Sequence, residues 1–464
     1  MSTHRPPKPR PPTSRPPRKA SPGARAPKTP GMGARRASSA LLHAVLHDNT
    51  SLDDALTAEQ GMNGALSRLD PRDRGFARLI AATALRRHGQ ITDILGAFLD
   101  KPLPEKSGIA AAILHGALAE LLFLDVAPHA AVSASVALAK ADKNARHFAG
   151  LINAVLRRTT REGTALRDAQ DATTLNTPDW LMQSWHDAYG ADAAAAIAAA
   201  HLIEAPLDLS VRSDADGWAE KLGGEVLPTR SVRLTTGGRV DTLEGFGDGE
   251  WWVQDAAAAL PARLFGDVSG QPVIDLCAAP GGKTLELAAA GAHVTAVDRS
   301  AQRLVRVTHN LKRMKLKADI ITADATTWTP TADATPAKFI LLDAPCSATG
   351  TIRRHPDIPH LKGPHDVTRM ARLQQELLAN AARIATSGTI LIYCTCSLQP
   401  EEGEQQVAAF LATNPDFARV PITPNELPGL EQAITPDGDM RTLPTFWAEK
   451  GGMDGFFAAR LKRR

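Results

Sequence analysis

The chain has 464 residues, a formal net charge of +3 and a 43% hydrophobic content, which is enough apolar material for several packed domains. Its sequence contains no run of about 18 apolar residues, which disfavours a membrane span. The four cysteines have no disulfide-like spacing, so the composition favours a reducing, cytoplasmic compartment over the disulfide-stabilised secreted class.

Residues 1–39 differ in composition from the rest of the chain. They contain ten Lys and Arg, ten prolines and no acid, so subtracting ten from +3 leaves a net charge of −7 on the other 425 residues. Prolines on this scale prevent a regular helix, and we expect a disordered basic arm that is loosely attracted to phosphate. A solubilising tail fits the composition equally well. An organellar transit peptide would need an amphipathic helix, which the prolines disfavour.

Residues 40–165 are predicted to form a compact all-helical domain. Leu114, Leu118 and Leu121 follow a helical spacing, and Asp70 before Pro71 is typical of a helix N-cap. Four segments resemble the NusB-like antitermination and RNA-binding domain, namely Asp73–Ala77, Ile113–Leu114, Ala127–Val132 and Leu151–Arg158. The resemblance implies a helical domain that binds RNA.

Residues 170–250 mix two kinds of pattern and are predicted to form a small α+β domain. Helical patterns cover Trp180–Tyr189 and Ala191–His201, and short apolar runs at Leu207–Val211 and Val232–Leu234 indicate strands. No chemical motif is present in this part of the sequence.

Residues 251–464 change to apolar strands that alternate with helices. This alternation predicts a parallel, doubly wound, Rossmann-like α/β domain that binds ligands at the carboxyl ends of its strands. The predicted strands are Val273–Leu276, Val294–Val297, Asp319–Thr322, Phe339–Leu342 and Thr389–Tyr393.

The loop after the first of these strands predicts a nucleoside-cofactor site. Small residues and a turn allow close backbone approach before a helix begins near Lys283, and the helix N-terminus favours a carboxylate. Asp298 ends the next strand, where it suits the ribose hydroxyls, and Asp324 suits an adenine amine. The loop consists of Cys277, Ala278, Ala279, Pro280, Gly281 and Gly282.

Two other nucleotide-binding interpretations of this loop were weighed. A phosphate-binding P-loop requires glycine where Cys277 stands, so that interpretation is disfavoured. A nicotinamide enzyme is compatible with the loop alone, but the cysteines downstream argue against it.

All four cysteines lie in three motifs, at positions 277, 346, 394 and 396, and each motif begins where a strand ends. Carbon-5 of cytosine is a poor nucleophile, so its methylation requires a thiolate that adds to carbon-6 and makes carbon-5 reactive. A second group near that cysteine can assist release of the product. An acid such as Asp343 suits protonation or hydrogen bonding at N3 of the base.

The cysteine motifs closely resemble those of the Fmu/Sun (RsmB-type) RNA cytosine-5 methyltransferases, and the likeness extends over most of the chain. The segments that carry it are Asp275–Thr284, Asp343–Asp357, Tyr393–Glu402 and Gly451–Phe457. It implies Cys396 as nucleophile, Cys346 in product release, and S-adenosylmethionine bound by Cys277 through Lys283 with Asp298, Asp324 and Asp343. It also implies a ferredoxin-like fold for residues 170–250.

Two positions depart from the family pattern. Ala348 stands where the family usually has glycine, and Cys394 adds a thiol two residues before the predicted nucleophile. Because residues 394 and 396 of an extended strand share a side, Cys394 could compete as nucleophile or form an off-pathway disulfide with Cys396. A Cys-x-Cys metal site would need two further ligands, and no metal is expected.

The two cysteine motifs together favour RNA over DNA as substrate, and the NusB-like domain points to small-subunit (16S) ribosomal RNA. Arg353, Arg354 and His355 are predicted to hold the target strand, and basic residues from Arg303 to Lys317 could line a phosphate path. The target base must leave any helix to reach the thiol. Transfer RNA is the alternative substrate, a non-catalytic RNA-binding or assembly factor is the alternative function, and a monomer is expected.

Overall fold

The computed structural model describes residues 31–234 and 239–464, without the side chain of Glu105. Its N-terminal part is the predicted helical domain, with a core of leucine, isoleucine and alanine side chains from all of its helices. The helices are α1 (Met32–Leu46), α2 (Leu52–Gln60), α3 (Pro71–Arg86), α4 (His88–Phe98), α5 (Ala110–Phe123), α6 (Pro128–Ala141) and α7 (Ala149–Ala169). The predicted cap is present, because the Asp70 side chain accepts from Asp73 N and Pro71 begins α3.

The boundary of the predicted basic arm needs correction. Residues 1–30 lie outside the described residues, but residues 32–39 belong to α1 rather than to a disordered tail. The prolines end at Pro30, and the next turns place Ala34 and Ala37 in the core. Arg35, counted with the basic arm, is buried, and its Nε donates to Glu120 Oε1 at 3.0 Å.

The predicted small domain divides into two parts. Residues 170–201 form α8 (Ala172–Asn176), α9 (Asp179–Tyr189) and α10 (Ala191–His201). Leu181 and Trp185 of α9 pack with Ile352, Ile358 and Leu398 of the C-terminal domain. These helices therefore connect the helical domain to the C-terminal domain.

The second part is a four-stranded antiparallel sheet with the order β2-β3-β1-β4. Its elements are β1 (Leu207–Val211), α11 (Ala215–Leu222), β2 (Glu225–Val226), β3 (Val232–Leu234) and β4 (Trp251–Val253). A ferredoxin-like domain has a second helix before its last strand. In the described part of that connection the only helix is the short 3-10 turn Val240–Thr242.

The C-terminal domain contains an eight-stranded sheet with helices on both faces. Its helices are α12 (Ala256–Arg263), α13 (Gly282–Ala289), α14 (Ala301–Met314), α15 (Ile358–Leu361), α16 (Pro364–Ile384) and α17 (Glu404–Thr413). Its strands are β5 (Pro272–Leu276), β6 (His293–Asp298), β7 (Asp319–Thr322), β8 (Phe339–Asp343), β9 (Ile390–Thr395), β10 (Phe417–Arg419), β11 (Met440–Thr442) and β12 (Phe456–Arg463).

The strand order is β10-β12-β9-β8-β5-β6-β7, with β11 paired to β12. The five predicted strands, β5 to β9, are parallel as expected, but β10, β11 and β12 pair antiparallel, so the sheet is mixed rather than wholly parallel. Parallel pairing needs a long crossover, usually a helix, and the segment between β10 and β12 contains β11, turns and 3-10 helices but no α-helix. None of the described helices is long and apolar enough to cross a membrane.

Because β5 to β9 run parallel, the loops that follow them meet at one edge of the sheet. The helical domain contacts this edge through the loop after β8. Leu52 N donates to Asp357 Oδ2 at 2.9 Å, and Arg86 Nη2 donates to the backbone oxygen of Arg353 at 2.9 Å. The predicted motifs therefore lie together, beside the helical domain.

Candidate active site

The glycine-rich loop joins β5 to α13 through two left-handed residues. Cys277 has φ +64° and Gly281 has φ +104°; at Gly281 a side chain would also come within 3.0 Å of Val307. No side chain caps α13 at Gly281, so the N–H groups of its first turn have no side-chain cap. Free N–H groups at a helix N-terminus suit the carboxylate of an amino-acid ligand.

Asp298 and Asp324 follow the neighbouring strands β6 and β7. Asp298 is buried, and its two oxygens accept from Ala279 N at 3.1 Å and Ser300 N at 2.8 Å. A carboxylate has about four lone-pair sites, so both oxygens keep a position for a ligand hydroxyl. Asp324 is exposed, and hydrogen bonds from Thr326 lower the pKa of its carboxyl group. Both carboxylates therefore fit the nucleoside contacts predicted for them.

Lys283 and Asp343 form an ion pair at the centre of this edge. Lys283 Nζ donates to Asp343 Oδ2 at 2.7 Å and lies over the ring of Phe456, 5.0 Å from its centroid. Burial lowers the pKa of Lys283, but the Asp343 carboxylate raises it on balance above its ordinary value. The other Asp343 oxygen accepts from Cys394 Sγ at 3.4 Å. Lys283 was predicted only as a cofactor contact, and this pairing places it beside the catalytic motif.

The two predicted catalytic cysteines lie in contact. Cys346 follows β8 and Cys396 follows β9, and their Sγ atoms are 3.5 Å apart. Both side chains are partly exposed, whereas Cys394 is fully buried in the sheet opposite Ala458. The two motifs are held together by main-chain bonds from Ala344 N to Cys394 O and from Gly350 N to Cys396 O, both 2.9 Å. This arrangement offers two sulfurs to one substrate atom.

Comparisons with known proteins identify the family. The model described as 16S rRNA methyltransferase RsmB/F matches residues 264–462, and the NusB family model matches residues 32–161. Relatives named ribosomal RNA small subunit methyltransferase B, from Pseudomonas putida and Vibrio vulnificus, are each 35% identical to this chain. The matches cover 92% and 93% of this chain and 98% and 99% of those relatives. The chain belongs to the RsmB/F family of RNA methyltransferases.

Solved structures agree with this fold. The crystal structure of PH0851 matches with a TM-score of 0.74 at 23% identity, over 94% of this chain and 99% of that one. NSun6 from Pyrococcus horikoshii, solved with SFG, matches with a TM-score of 0.51 at 18% identity, over 62% of this chain and 98% of that one. The protein is thus a methyltransferase of RNA that uses S-adenosylmethionine. The NusB match begins at residue 32, where α1 begins.

Arg353 and Arg354 do not form the RNA-contacting surface predicted for them. Arg354 Nη2 donates to Asp255 Oδ2 at 2.5 Å, and its Nε donates to Asp454 Oδ2 at 3.0 Å. Arg353 is 2% exposed, and its Nη1 donates to Gly451 O at 2.8 Å. Their guanidinium groups join three segments of the methyltransferase instead of facing solvent. Of the three predicted residues, only His355 combines partial exposure with freedom from this ion-pair cluster.

The basic residues of α14 also differ in their contacts and exposure. Arg313 turns inward, where its Nη1 donates to the backbone oxygens of Phe246 and Trp251. Arg303 donates to Ala279 O and so supports the cofactor loop. Arg306 is exposed, and its Nη2 lies 3.2 Å from Thr57 Oγ1 of the helical domain. Part of the predicted phosphate path is therefore structural.

The structure adds one buried group that sequence reasoning did not assign. Glu402 lies in the 3-10 helix Pro400–Glu402, directly behind the two cysteine motifs, and is fully buried. It falls within the segment that resembles the family, but an acid six residues after Cys396 carries no chemical signal in the sequence alone. Only the tertiary contacts connect it to Cys346.

Proposed function

We propose that the protein methylates carbon-5 of a cytosine in small-subunit ribosomal RNA through a covalent bond between Cys396 and carbon-6. The observation that carries the proposal is the contact of two partly exposed sulfurs, 3.5 Å apart, at the edge of the sheet that also holds the Lys283–Asp343 pair. The ribosomal target is supported by the name that the curated relatives share.

Each group has a part in the proposed reaction. Cys396 gives up its proton to water, and the thiolate forms a bond to carbon-6. The π bond between carbon-5 and carbon-6 opens as N3 gains a proton or a strong hydrogen bond. Asp343 is assigned to N3, with the proton that it shares with Lys283 Nζ as the source. Carbon-5 then takes the methyl group, and the donor leaves as S-adenosylhomocysteine. Loss of the carbon-5 proton to a base and return of the carbon–sulfur electron pair to Cys396 release the product, with assistance from Cys346.

The surroundings of the other thiols support Cys396 as the nucleophile. Burial and the Asp343 carboxylate raise the pKa of Cys394 well above its ordinary value, and its sulfur is directed at that carboxylate. The hydrogen bond to Cys396, together with burial, raises the pKa of Cys346. Burial and Asp298 raise the pKa of Cys277. A thiolate, not a thiol, is the nucleophile, so these three environments suit other roles.

The cofactor assignment rests on the residues described above. The uncapped N-terminus of α13 would hold the carboxylate of S-adenosylmethionine, and Asp298 and Asp324 would hold its ribose and adenine. S-Adenosylmethionine supplies the methyl group as an electrophile.

The test is transfer of radiolabelled methyl from S-adenosylmethionine to protein-free small-subunit ribosomal RNA and, separately, to bulk transfer RNA, with digestion and identification of the nucleoside. Labelled 5-methylcytidine from ribosomal RNA alone is expected. The same nucleoside from transfer RNA alone would replace the target and keep the chemistry. Label in any other nucleoside would contradict the cysteine mechanism, and an assembled small-subunit particle serves as the third substrate if free RNA takes no label.

A further inference from the structure

Glu402 is a buried carboxylate without a cationic partner among the residues that the structure describes. Its neighbour Glu404 pairs with Arg441 at 2.8 Å, whereas Glu402 forms no salt bridge with any residue of the described ranges and is 0% exposed. Burying an unpaired charge is costly, so such a group needs either dense hydrogen bonding or a functional reason.

The Glu402 carboxylate accepts hydrogen bonds that hold the loop that carries Cys346. Oε1 accepts from Ser347 N at 2.8 Å and from Gln374 Nε2 at 3.1 Å, and Oε2 accepts from the Ser347 hydroxyl. Gln374 Nε2 also donates to Pro345 O at 3.0 Å. The residues immediately before and after Cys346 are therefore both tied to the carboxylate or to its amide partner. The donors are backbone, hydroxyl and amide groups, a set that suits an ionised carboxylate.

The main-chain oxygen of the same residue accepts hydrogen bonds from the segment that carries Cys396. Glu402 O accepts from the Tyr393 hydroxyl at 2.7 Å and from Thr395 Oγ1 at 3.2 Å. On the other side of Cys396, Ser397 Oγ lies 3.1 Å from Ser347 Oγ. One residue thus joins the two cysteine motifs, whose sulfurs lie 3.5 Å apart.

The charge of Glu402 also acts on Cys346. It is among the groups that raise the pKa of Cys346, after the Cys396 hydrogen bond, burial and the charge of Cys396. A negative charge beside Cys346 disfavours a second thiolate there, which leaves Cys346 able to donate a proton or a hydrogen bond. Both the hydrogen bonds and the charge of Glu402 therefore act on Cys346.

We propose that Glu402 is a positioning residue of the methyltransferase site, which fixes Cys346 against Cys396 and places a carboxylate behind Cys346. The proposal deepens the proposed function and rests on it, since it assumes that the two cysteines act on one base.

The first experiment measures thiol reactivity without substrate, so that it does not depend on catalysis. Cys346 is alkylated with iodoacetamide across a pH series and quantified by peptide mass spectrometry. In Glu402→Gln the amide oxygen keeps the bonds from Ser347 N and Gln374, and the Ser347 hydroxyl turns to accept from the new amide, so the charge is lost and the loop stays in place. We expect Cys346 in this variant to react about tenfold faster near neutral pH, which corresponds to one pKa unit.

The matched control is Glu401→Gln, because Glu401 is the adjacent acid on the same turn and is exposed. This control removes the same charge from the surface, and its Cys346 should react at the wild-type rate. Equal Cys346 alkylation rates in wild type and Glu402→Gln, at every pH, would overturn the electrostatic role.

The second experiment measures methyl transfer. Glu402→Ala removes the side-chain bonds to Ser347 and Gln374 and keeps the main-chain bonds to the Cys396 segment. We expect kcat to fall about a hundredfold with little change in KM, since RNA and cofactor contacts are untouched. Glu402→Gln should recover part of this loss, with a pH optimum displaced to lower pH. Full activity of both variants at the wild-type pH optimum would overturn the positioning role.

The two proposals fail in distinguishable ways. If the wild-type enzyme forms no 5-methylcytidine, the proposed function fails while the alkylation result still reports on Glu402. If Glu402→Ala does not fold, as judged by its thermal unfolding curve, Glu402→Gln and Ser347→Ala carry the test, because each keeps the buried volume nearly unchanged. A Ser347→Ala variant with wild-type kcat would contradict a positioning role for the hydrogen bond between the Ser347 hydroxyl and Glu402.

Discussion

In the loop after β8, residues 343–350 and residues 351–357 place their polar side chains differently. Cys346 of the first part keeps a partly exposed sulfur in contact with another sulfur. Arg353 and Arg354 of the second part direct their guanidinium groups into the protein, onto Asp255, Asp454 and backbone oxygens. A single motif thus contains a partly exposed sulfur and two arginines that bond within the protein, so membership of the motif does not by itself indicate contact with a substrate.

The largest expected effect is on Cys396. Changing Cys396 to Ser replaces the sulfur that is proposed to bond carbon-6 with a hydroxyl group, which is not ionised at neutral pH. We expect methyl transfer to fall by at least about 10⁴-fold. The measurement is single-turnover transfer of labelled methyl to ribosomal RNA, with circular dichroism to verify folding. A variant that retains activity within about tenfold of wild type would assign the nucleophile elsewhere.

The variant Cys346→Ala tests whether bond formation can be separated from product release. In Cys346→Ala the nucleophile is intact, so methyl transfer to the base should proceed while expulsion of Cys396 slows. We expect an RNA–protein adduct that survives denaturing electrophoresis and carries the methyl label. The double variant Cys346→Ala with Cys396→Ser is the control and should show no adduct. An adduct that persists in the double variant would place the covalent bond on another residue.

The architectural part of the loop is tested by stability. Arg354→Ala leaves the buried carboxylate of Asp255 without its ion-pair partner and Asp454 with Arg353 alone, at 3.5 Å, and we expect a loss of about 3 kcal/mol in the free energy of unfolding. Arg369→Ala is the control, since its pair with Asp366 is exposed, and it should cost no more than about 0.5 kcal/mol. Urea unfolding measures both. An Arg354→Ala variant with wild-type stability and weakened RNA binding would restore the RNA-contact prediction.

A smaller effect concerns the pH dependence of stability and the buried carboxyl group of Asp275 in β5. Burial raises the pKa of Asp275 to about 7, from an ordinary value of 3.8, and a hydrogen bond from Thr284 only partly opposes this. Between about pH 4 and pH 7 the folded state therefore keeps a proton that the unfolded state has lost. Stability should fall as pH rises through this window and level off above it.

Asp275→Asn removes this titration while its amide oxygen can still accept from Thr284. Between about pH 5 and pH 7 the variant should gain about 2 kcal/mol relative to wild type, because each unit of pKa shift corresponds to about 1.4 kcal/mol. Urea midpoints at several pH values provide the measurement. A difference between variant and wild type that does not change with pH would show that Asp275 titrates normally.

The sequence predicted five of the eight strands of the methyltransferase domain because their short apolar runs alternate with helical patterns and end in or before motif residues. Val273–Leu276 and Phe339–Leu342 lie within β5 and β8, and Asp319–Thr322 coincides with β7. The antiparallel strands were missed, since their partners are set by tertiary contacts and not by local pattern. Arg35 and Arg353 were misplaced for the same reason, because a charge that is neutralised inside the protein looks like a surface charge in sequence.

The cofactor loop and the cysteine pair could be predicted because their chemistry requires particular residue types at strand ends. The pairing of Lys283 with Asp343 and the position of Glu402 could not, since both depend on side chains that meet across separate strands. Cys394 is an intermediate case. Its motif was recognised, but only the fold determines which group its sulfur faces.

Substitution of Cys394 has the smallest expected effect, and it compares two cysteines that stand two residues apart. It lies two residues from Cys396 on one segment, yet it is fully buried, and its sulfur donates to Asp343 Oδ1 at 3.4 Å. Cys394→Ser keeps a donor of similar size, so we expect methyl transfer within about threefold of wild type, and Cys394→Ala should lose no more than about tenfold because Lys283 still holds Asp343.

The two substitutions distinguish a hydrogen-bond donor from a nucleophile. If Cys394 acts as a nucleophile, both substitutions should reduce methyl transfer. If it only donates a hydrogen bond to Asp343, the serine hydroxyl should replace it and preserve activity. Steady-state kinetics of both variants, with Cys396→Ser as the inactive reference, provide the measurement. Loss of activity in Cys394→Ser as deep as in Cys396→Ser would mean that burial does not prevent Cys394 from reacting, and the proposed separation of the two thiols would fail. Retained activity means that the fold alone, by turning one sulfur to Asp343 and the other to Cys346, makes neighbouring cysteines chemically different.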